Sequence, residues 1–318
     1  MSGARIFVAG HNGMVGSALA GALRAAGHDN LVLRTRAELD LMDRAAVRAF
    51  FRREQPEQVY LAAARVGGIL ANDTYRAEFI HDNLAIQVNV IDEAHRAGVR
   101  RLLFLGSSCI YPKHAPQPIK EEHLLTGLLE STNQPYAIAK IAGIEMCDAY
   151  HRQHGSDFRA AMPANLYGPG DRFDLATSHV IPALIRKFHE ARLRNAPGVT
   201  IWGTGNPRRE FLHVDDMAEA CLKLMSLSRA DWDTRIGLPF CNVGSGEDQT
   251  VRELALAIQR VVGYEGKLEF DTGKPDGTPR KLLDSARLRQ TGWRPRRPLE
   301  EGLRDTYAWF KEHAATRA

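Results

Sequence analysis

Cysteine is scarce in this chain. Cys109, Cys147, Cys221 and Cys241 are the four among 318 residues, and none stands in a close Cys-x-x-Cys pair. That spacing speaks against a zinc ribbon or a disulfide framework, and a reducing, cytoplasmic setting is expected. No uncharged apolar run approaches the ~20 residues of a membrane span, so no membrane partner is expected. Met1 is followed within a few residues by the first apolar run, so no basic-then-apolar leader is expected. Internal repeats and low-complexity tails are absent. A large excess of one charge is absent too, because 42 Lys and Arg stand against 38 Asp and Glu, a net +4. Apart from Arg294-Pro295-Arg296-Arg297 the basic residues are dispersed. No nucleic-acid partner is expected, and a small anionic ligand suits so mild an excess.

What is present is alternation. Short apolar runs at 31–33, 59–61, 102–105 and 158–162 read as buried parallel strands, with helical stretches at 45–53, 75–97 and 137–154 between them. Asp43 stands where a helix cap is needed. Strands alternating with helices predict an α/β fold with a doubly wound parallel sheet. After Pro163 the character changes. Residues 167–177 read as loop, 179–194 as helix, 199–202 as strand and 203–208 as loop. Helices are expected at 215–226 and 251–262, strands at 240–243 and 267–270, and a loop at 273–279.

The most informative segment is Gly10-His11-Asn12-Gly13-Met14-Val15-Gly16. It follows the apolar run Arg5-Ile6-Phe7-Val8-Ala9 and opens a helical stretch at 17–26. Strand, glycine turn and helix N-terminus in that order are what a dinucleotide pyrophosphate needs, because glycines admit the phosphates and the helix end offers free N–H groups. The cofactor is expected to be NADP(H). No carboxylate ends the second strand before Glu38, whereas Arg34 and Arg36 carry planar forks suited to a 2′-phosphate. Two solvated loop arginines are the alternative.

The strand at 102–105 runs into Gly106-Ser107-Ser108-Cys109-Ile110-Tyr111, and Tyr136-Ala137-Ile138-Ala139-Lys140 follows. Tyr136 and Lys140 are four apart, so a helix sets them on one face. A lysine beside a phenol is expected to lower its pKa, and Ser107 to hydrogen-bond the same oxygen. Serine, tyrosine and lysine around one carbonyl make a proton-transfer and oxyanion site. A surface pair on a helix is the plainer reading of Tyr-x-x-x-Lys alone, as a buried apolar thiol is of Cys109.

With these residues the chain resembles the extended short-chain dehydrogenase/reductase family, whose members mostly modify nucleotide sugars. The likeness spans essentially the whole length. It is carried by Gly10-His11 with Gly13-Met14-Val15-Gly16, by Leu105-Gly106-Ser107-Ser108-Cys109-Ile110-Tyr111-Pro112-Lys113, and by Pro135-Tyr136-Ala137-Ile138-Ala139-Lys140. Further stretches are Asn165-Leu166-Tyr167-Gly168-Pro169, Ser178-His179-Val180-Ile181-Pro182-Ala183, Arg209-Glu210-Phe211-Leu212-His213-Val214-Asp215-Asp216 and Lys274-Pro275-Asp276-Gly277-Thr278-Pro279-Arg280-Lys281. The family often has an arginine, which helps hold the 2′-phosphate, where Asn12 stands.

The resemblance implies a Rossmann-type NADP-binding domain over 1–165, with segments near 212–245 returning to it, and a smaller C-terminal α/β substrate domain over 166–318. It implies epimerisation at C3 and C5 of GDP-4-keto-6-deoxy-D-mannose, followed by NADPH-dependent reduction of the C4 ketone. Ser107, Tyr136 and Lys140 are the implied catalytic centre, with Cys109 and His179 as the acid–base pair. The segment Gly10 to Gly16, Arg34, Arg36, Leu105, Gly106, Ser107, Ser108, Lys140, Pro163, Ala164, Asn165, Leu166 and His179 are implied around the cofactor. Lys187, Trp202, Arg209 and Asp276 are implied around the GDP-sugar, although a tryptophan on an apolar strand is as often core. No metal is implied, and a homodimer joined through the helices at 75–97 and 137–154 is. Dehydratases of the same fold need an acid just past the serine, where Ser108 and Cys109 stand. A 4-epimerase that retains NAD prefers an acid after the second strand. A regulator that binds NADP without catalysis would not require Tyr136 or Lys140.

Overall fold

A computed structural model describes residues 3–175, 177–274 and 276–313. Met1 lies outside the described residues, as do Ala176 and Pro275 within the two loops expected at 167–177 and 273–279. The first half alternates strand and helix: β1 (Ile6–Ala9), α1 (Met14–Ala25), β2 (Leu31–Val32), α2 (Arg44–Glu54), β3 (Gln58–Leu61), α3 (Ile69–Thr74), α4 (Arg76–Arg96), β4 (Arg101–Leu105), α5 (Gln134–His154) and β5 (Asp157–Pro163). Next come β6 (Asn165–Tyr167), α6 (Val180–Leu193), β7 (Gly198–Trp202), β8 (Arg208–His213), α7 (Val214–Ser226), α8 (Arg229–Arg235) and β9 (Phe240–Val243). The chain closes with β10 (Asp248–Thr250), α9 (Val251–Val262), β11 (Lys267–Asp271), β12 (Arg280–Lys281), α10 (Ala286–Gln290) and α11 (Leu299–His313).

The apolar runs are buried on both faces because helices cover both sides of the sheet they form. Its six strands are parallel, in the order β2-β1-β3-β4-β5-β9. The order reverses between β1 and β3, and in such sheets ligands bind beyond the carboxyl ends of the strands at that crevice. Local chemistry sets the helix ends. Asp43 accepts from the N–H groups of Ala45 and Ala46 at 2.9 and 3.1 Å and starts α2. Thr250 and Glu253 form a reciprocal capping box on α9, which Gly263 ends in the left-handed conformation.

Two apolar cores result. One joins the six strands with α1, α2, α4, α5 and α7 and takes in Leu283, Leu288 and Trp293. The other gathers Tyr167, α6, α9 and α11 around Phe188, Ile201, Ile258 and Phe310. Small sheets flank it: β8 carries β6, β10 and β12, and β7 pairs with β11.

Several boundaries and elements differ from the sequence expectation. Helix α1 begins at Met14 rather than at residue 17, because Gly13 itself is the cap. Strands β6 and β8 lie where no strand was read. Arg208–His213 is half charged, and its extended state comes from pairing with neighbours on both sides rather than from an apolar period. Helix α11 was hidden by Gly302. A Cβ there would stand 2.4 Å from the Tyr167 hydroxyl, so the glycine admits close packing while weakening the helical signal.

Candidate active site

The glycine turn after β1 is built by backbone contact. Gly10 has φ +87°, and a Cβ on it would lie 2.8 Å from the Ala63 backbone. A Cβ on Gly16 would lie 2.1 Å from the Gly10 carbonyl oxygen. Gly13 is not crowded in that way, so its missing side chain leaves the outer face of the turn bare. Gly13 caps α1 without a side-chain acceptor, and the first turn, Met14, Val15 and Gly16, carries no acid. The helix end is therefore electropositive and open to an anion. His11 lies in the same turn, and its buried Nδ1 has no protein partner. These features fit a dinucleotide pyrophosphate.

The two arginines after β2 part ways. Arg34 turns back into the protein, pairing with Glu54 at 2.9 Å and donating to the Leu33 carbonyl at 2.9 Å. Arg36 stays at the surface, its nearest acid being Asp40 at 4.0 Å. Glu38 does not face them as a ribose ligand. Its carboxylate accepts from the Thr35 N–H and hydroxyl at 2.7 and 2.8 Å, and those bonds hold its pKa down. Of the two arginines read as a 2′-phosphate pocket, Arg34 is thus engaged by Glu54 and Arg36 is the more exposed.

At the end of β4, Leu105 leads through Gly106 to Ser107, Ser108 and Cys109. Ser107 caps the short turn Ser108–Ile110, and its Oγ accepts from the Cys109 N–H at 3.4 Å. The same hydroxyl lies near enough to the Tyr136 phenol and the Cys109 thiol to pull the pKa of each downward. Tyr136 lies in the first turn of α5, which Pro135 opens, and Lys140 follows one turn later. Lys140 Nζ donates to the Leu105 carbonyl at 2.8 Å and sits 5.7 Å from the centre of the Tyr136 ring.

This arrangement corrects the expected electrostatics. Burial raises the Tyr136 phenol above its ordinary pKa, and the Cys109 thiol adds to the rise, while the nearby Ser107 hydroxyl opposes it. Burial also lowers Lys140, to about 8. The lysine is anchored to a backbone carbonyl rather than to the phenol oxygen, so desolvation wins and the phenol is held protonated. A protonated phenol is a proton donor. Burial likewise raises Cys109, against the opposing pull of Lys281, Ser107 and Lys140.

Pro163 ends β5 and Ala164 donates to the Val243 carbonyl, which turns the chain into Asn165 and Leu166 of β6. Asn165 donates to the Glu210 carbonyl at 2.8 Å. His179 caps α6 through its backbone, its side chain makes no capping bond, and burial lowers its imidazole pKa. The neutral form is favoured.

The four residues read as sugar-nucleotide contacts share one wall. Lys187 on α6 lies 5.6 Å from the Trp202 ring centre, and Lys274 lies 5.5 Å from it. Trp202 is 57% exposed, so it is not core. Arg209 reaches the Asp276 carbonyl at 3.5 Å. The Asp276 carboxylate accepts from the Thr204 N–H and hydroxyl at 2.7 and 2.8 Å. Those bonds brace the loop.

With this geometry in view, comparison with known proteins is decisive. The model of the NAD dependent epimerase/dehydratase family matches residues 6–237. This chain belongs to that family. It is 58% identical over 315 residues to GDP-L-fucose synthase of Escherichia coli (strain K12), covering 98% of each chain. A GDP-D-glycero-L-gluco-heptose synthase of Campylobacter jejuni, solved in the presence of NADPH, superposes with a TM-score of 0.90 at 37% identity, covering 98% of this chain and 99% of that one. A GDP-L-fucose synthetase of Naegleria fowleri bound to NADP gives a TM-score of 0.87 at 26% identity, covering 98% and 95%. Within the family frame, two groups emerge that the sequence reading did not single out. Lys281 of β12 is half-buried and near enough to Cys109 to pull its thiol pKa down, and Lys274 joins the cationic wall over Trp202. Both stand in the stretch that carried the resemblance, and pairing of β12 with β8 is what brings Lys281 inward.

Proposed function

We propose that this chain converts GDP-4-keto-6-deoxy-D-mannose to GDP-L-fucose, by epimerisation at C3 and C5 and NADP(H)-dependent reduction at C4. The observation that carries this reading is the placement of Ser107 and Cys109 at the end of β4 with Tyr136 and Lys140 of α5, where Lys140 Nζ donates to the Leu105 carbonyl at 2.8 Å. The full-length 58% identity to a GDP-L-fucose synthase supports the choice of substrate.

The chemistry follows from the ketone. C3 and C5 both neighbour C4, so removing a proton from either moves an electron pair onto O4. Ser107 and the protonated Tyr136 meet that charge with hydrogen bonds. Cys109 and His179 serve as proton acceptor and donor on the two faces of the ring, the pair that inversion requires. NADPH, when bound, supplies the hydride for C4. Tyr136 gives its proton to O4 in that step, and Lys140 keeps a positive charge beneath the phenol. Gly10, Gly13, Gly16 and the α1 N-terminus would hold the pyrophosphate, and Arg36 the 2′-phosphate. We assign the dinucleotide to the six-stranded unit and the GDP-sugar to the unit built on α6, α9 and α11, where Lys187, Arg209 and Trp202 meet a diphosphate and a ring face.

Among the described residues no helix is long and apolar enough to cross a membrane, and the four cysteines are free thiols. A cytoplasmic homodimer is the working assembly, joined through α4 and α5, which pack on each other and expose Val88 and Ile138. The test of function is direct: purified protein, GDP-4-keto-6-deoxy-D-mannose and NADPH, followed at 340 nm with the product identified by NMR. A 6-deoxy sugar inverted at C3 and C5 and reduced at C4 is expected. A product inverted at neither carbon would overturn the proposal.

A further inference from the structure

Between β3 and α3 the backbone from Arg65 to Gly68 passes between the supports of His179 and Tyr136. Two buried asparagines hold it. Asn83 of α4 accepts from the Arg65 N–H at 3.0 Å and donates to the Arg65 carbonyl at 3.0 Å. Asn72 of α3 donates to the Gly67 and Gly68 carbonyls at 2.7 and 3.0 Å. Amides placed in this way fix both ends of the short run. Gly67 rests on Phe79, since a Cβ there would stand 3.2 Å from the ring Cζ. That ring meets Tyr136 edge-on, with centres 6.1 Å apart. Gly68 rests on the chain that enters α6. Its N–H donates to the Thr177 carbonyl at 2.8 Å, and a Cβ on it would stand 2.7 Å from the Ser178 carbonyl oxygen. That oxygen belongs to the peptide unit joining Ser178 to His179.

Gly68 has φ −67°, a value open to any residue, so this glycine answers to space and not to backbone conformation. The contact is backbone on backbone, and neither side can rotate away. His179 is held from its other side as well, because its carbonyl accepts from the Ala183 N–H at 3.1 Å in the first turn of α6. The chain before it is a tied turn. Ser178 N–H donates to the Asp174 carbonyl at 3.0 Å, and Thr177 N–H donates to the Asp174 carboxylate at 3.0 Å.

We infer that Gly68 is a positioning residue for His179. Its missing side chain lets the His179 peptide lie against the segment that also supports Tyr136, and so sets where His179 stands relative to the phenol. The inference rests on the acid–base reading of His179 given above. An alanine must push the Ser178–His179 peptide away, or lift the segment off Asn72 and Phe79. Either shift moves the imidazole relative to the ketone that Ser107 and Tyr136 hold. Misplacement by roughly 1 Å costs about 10²-fold where a reaction needs alignment.

A double-mutant cycle tests the role. The readout is solvent-deuterium incorporation at C3 and C5 of GDP-4-keto-6-deoxy-D-mannose by NMR, with NADP⁺ in place of NADPH so that the ketone persists. Stoichiometric enzyme keeps slow variants measurable. Gly68→Ala should slow incorporation by roughly 10–10²-fold when His179 is present. In the His179→Gln background the same change should alter it by less than about twofold, because the group it misplaces is already gone. Asn72→Ala adds no bulk and frees the two glycine carbonyls. It should slow incorporation by about threefold or more, near the low end of coupling between residues in contact, and again only when His179 is present. Urea midpoints check folding, and Asn72→Ala carries the cycle if Gly68→Ala does not fold. Equal slowing in both backgrounds would overturn the inference, since it would mean that Gly68 serves the fold in general. Undiminished incorporation in a folded Gly68→Ala enzyme would overturn it too. Full incorporation in His179→Gln alone would instead remove His179 from epimerisation, and the role of Gly68 with it.

Discussion

Tyr136 and Lys140 show how burial decides between two roles for the same pair. A lysine near a phenol and a phenol out of water push its pKa in opposite directions, and here the second wins because Lys140 donates to Leu105. The phenol is stored as an acid. Tyr136→Phe should lower NADPH oxidation by roughly 10²–10⁴-fold, the usual worth of a general acid, and leave NADPH affinity near wild type. Steady-state rates and a binding titration check this together. Lys140 sets the upper pH limit. Its pKa in the folded protein, about 8, lies below the ordinary lysine value. The ammonium persists below that pH and is lost above it, so the reduction rate should fall as pH rises through about 8. Folding expels the Lys140 proton in the window from there up to the ordinary value, so this group adds stability as pH rises across it. A pH–rate profile flat to pH 10 would remove Lys140 from the mechanism.

Among the elements, the glycine turns differ in what they touch. A Cβ on Gly16 meets the Gly10 backbone at 2.1 Å, and one on Gly106 meets the flexible end of Met162 at 2.1 Å. Backbone cannot step aside, whereas a methionine rotates. Gly16→Ala should therefore cost about 2 kcal/mol or more and abolish dinucleotide binding, and Gly106→Ala should cost well under that. Urea unfolding midpoints compare them.

The same contrast explains what was legible in the sequence. Strands β1, β3, β4 and β5 are apolar runs buried on both sides, and helix α2 announces its start in Asp43, so these could be read. Strands β6 and β8 take their state from partners distant in sequence. Ser107, Tyr136 and Lys140 stand at spacings that a strand end and one helical turn translate directly into proximity. Nothing local in Arg34 reveals that Glu54 of α2 claims it, and nothing local in Lys281 reveals that β12 sets it in register with Arg209. Those facts belong to tertiary pairing.

In the molecule as a whole, the glycine turn and the Ser107 centre belong to the six-stranded unit, and the cationic wall over Trp202 stands on α6 and β7 of the other. Assembly has its own test. Val88 and Ile138 are 42% and 41% exposed on α4 and α5. If these helices join two copies, Ile138→Asp should shift the mass in sedimentation equilibrium from dimer to monomer, because burying an unpaired carboxylate is costly. A wild-type dimer unaffected by that change would place the interface elsewhere.

The central claim is that one pair of hydroxyls holds O4 through both proton exchange and hydride arrival. Ser107→Ala tests it, with deuterium incorporation at C3 and C5 followed by NMR and NADPH oxidation followed at 340 nm on the same preparation. Loss of one oxyanion donor is expected to slow both by roughly 10²–10³-fold. Deuterium entering at the wild-type rate while reduction alone is lost would contradict the account.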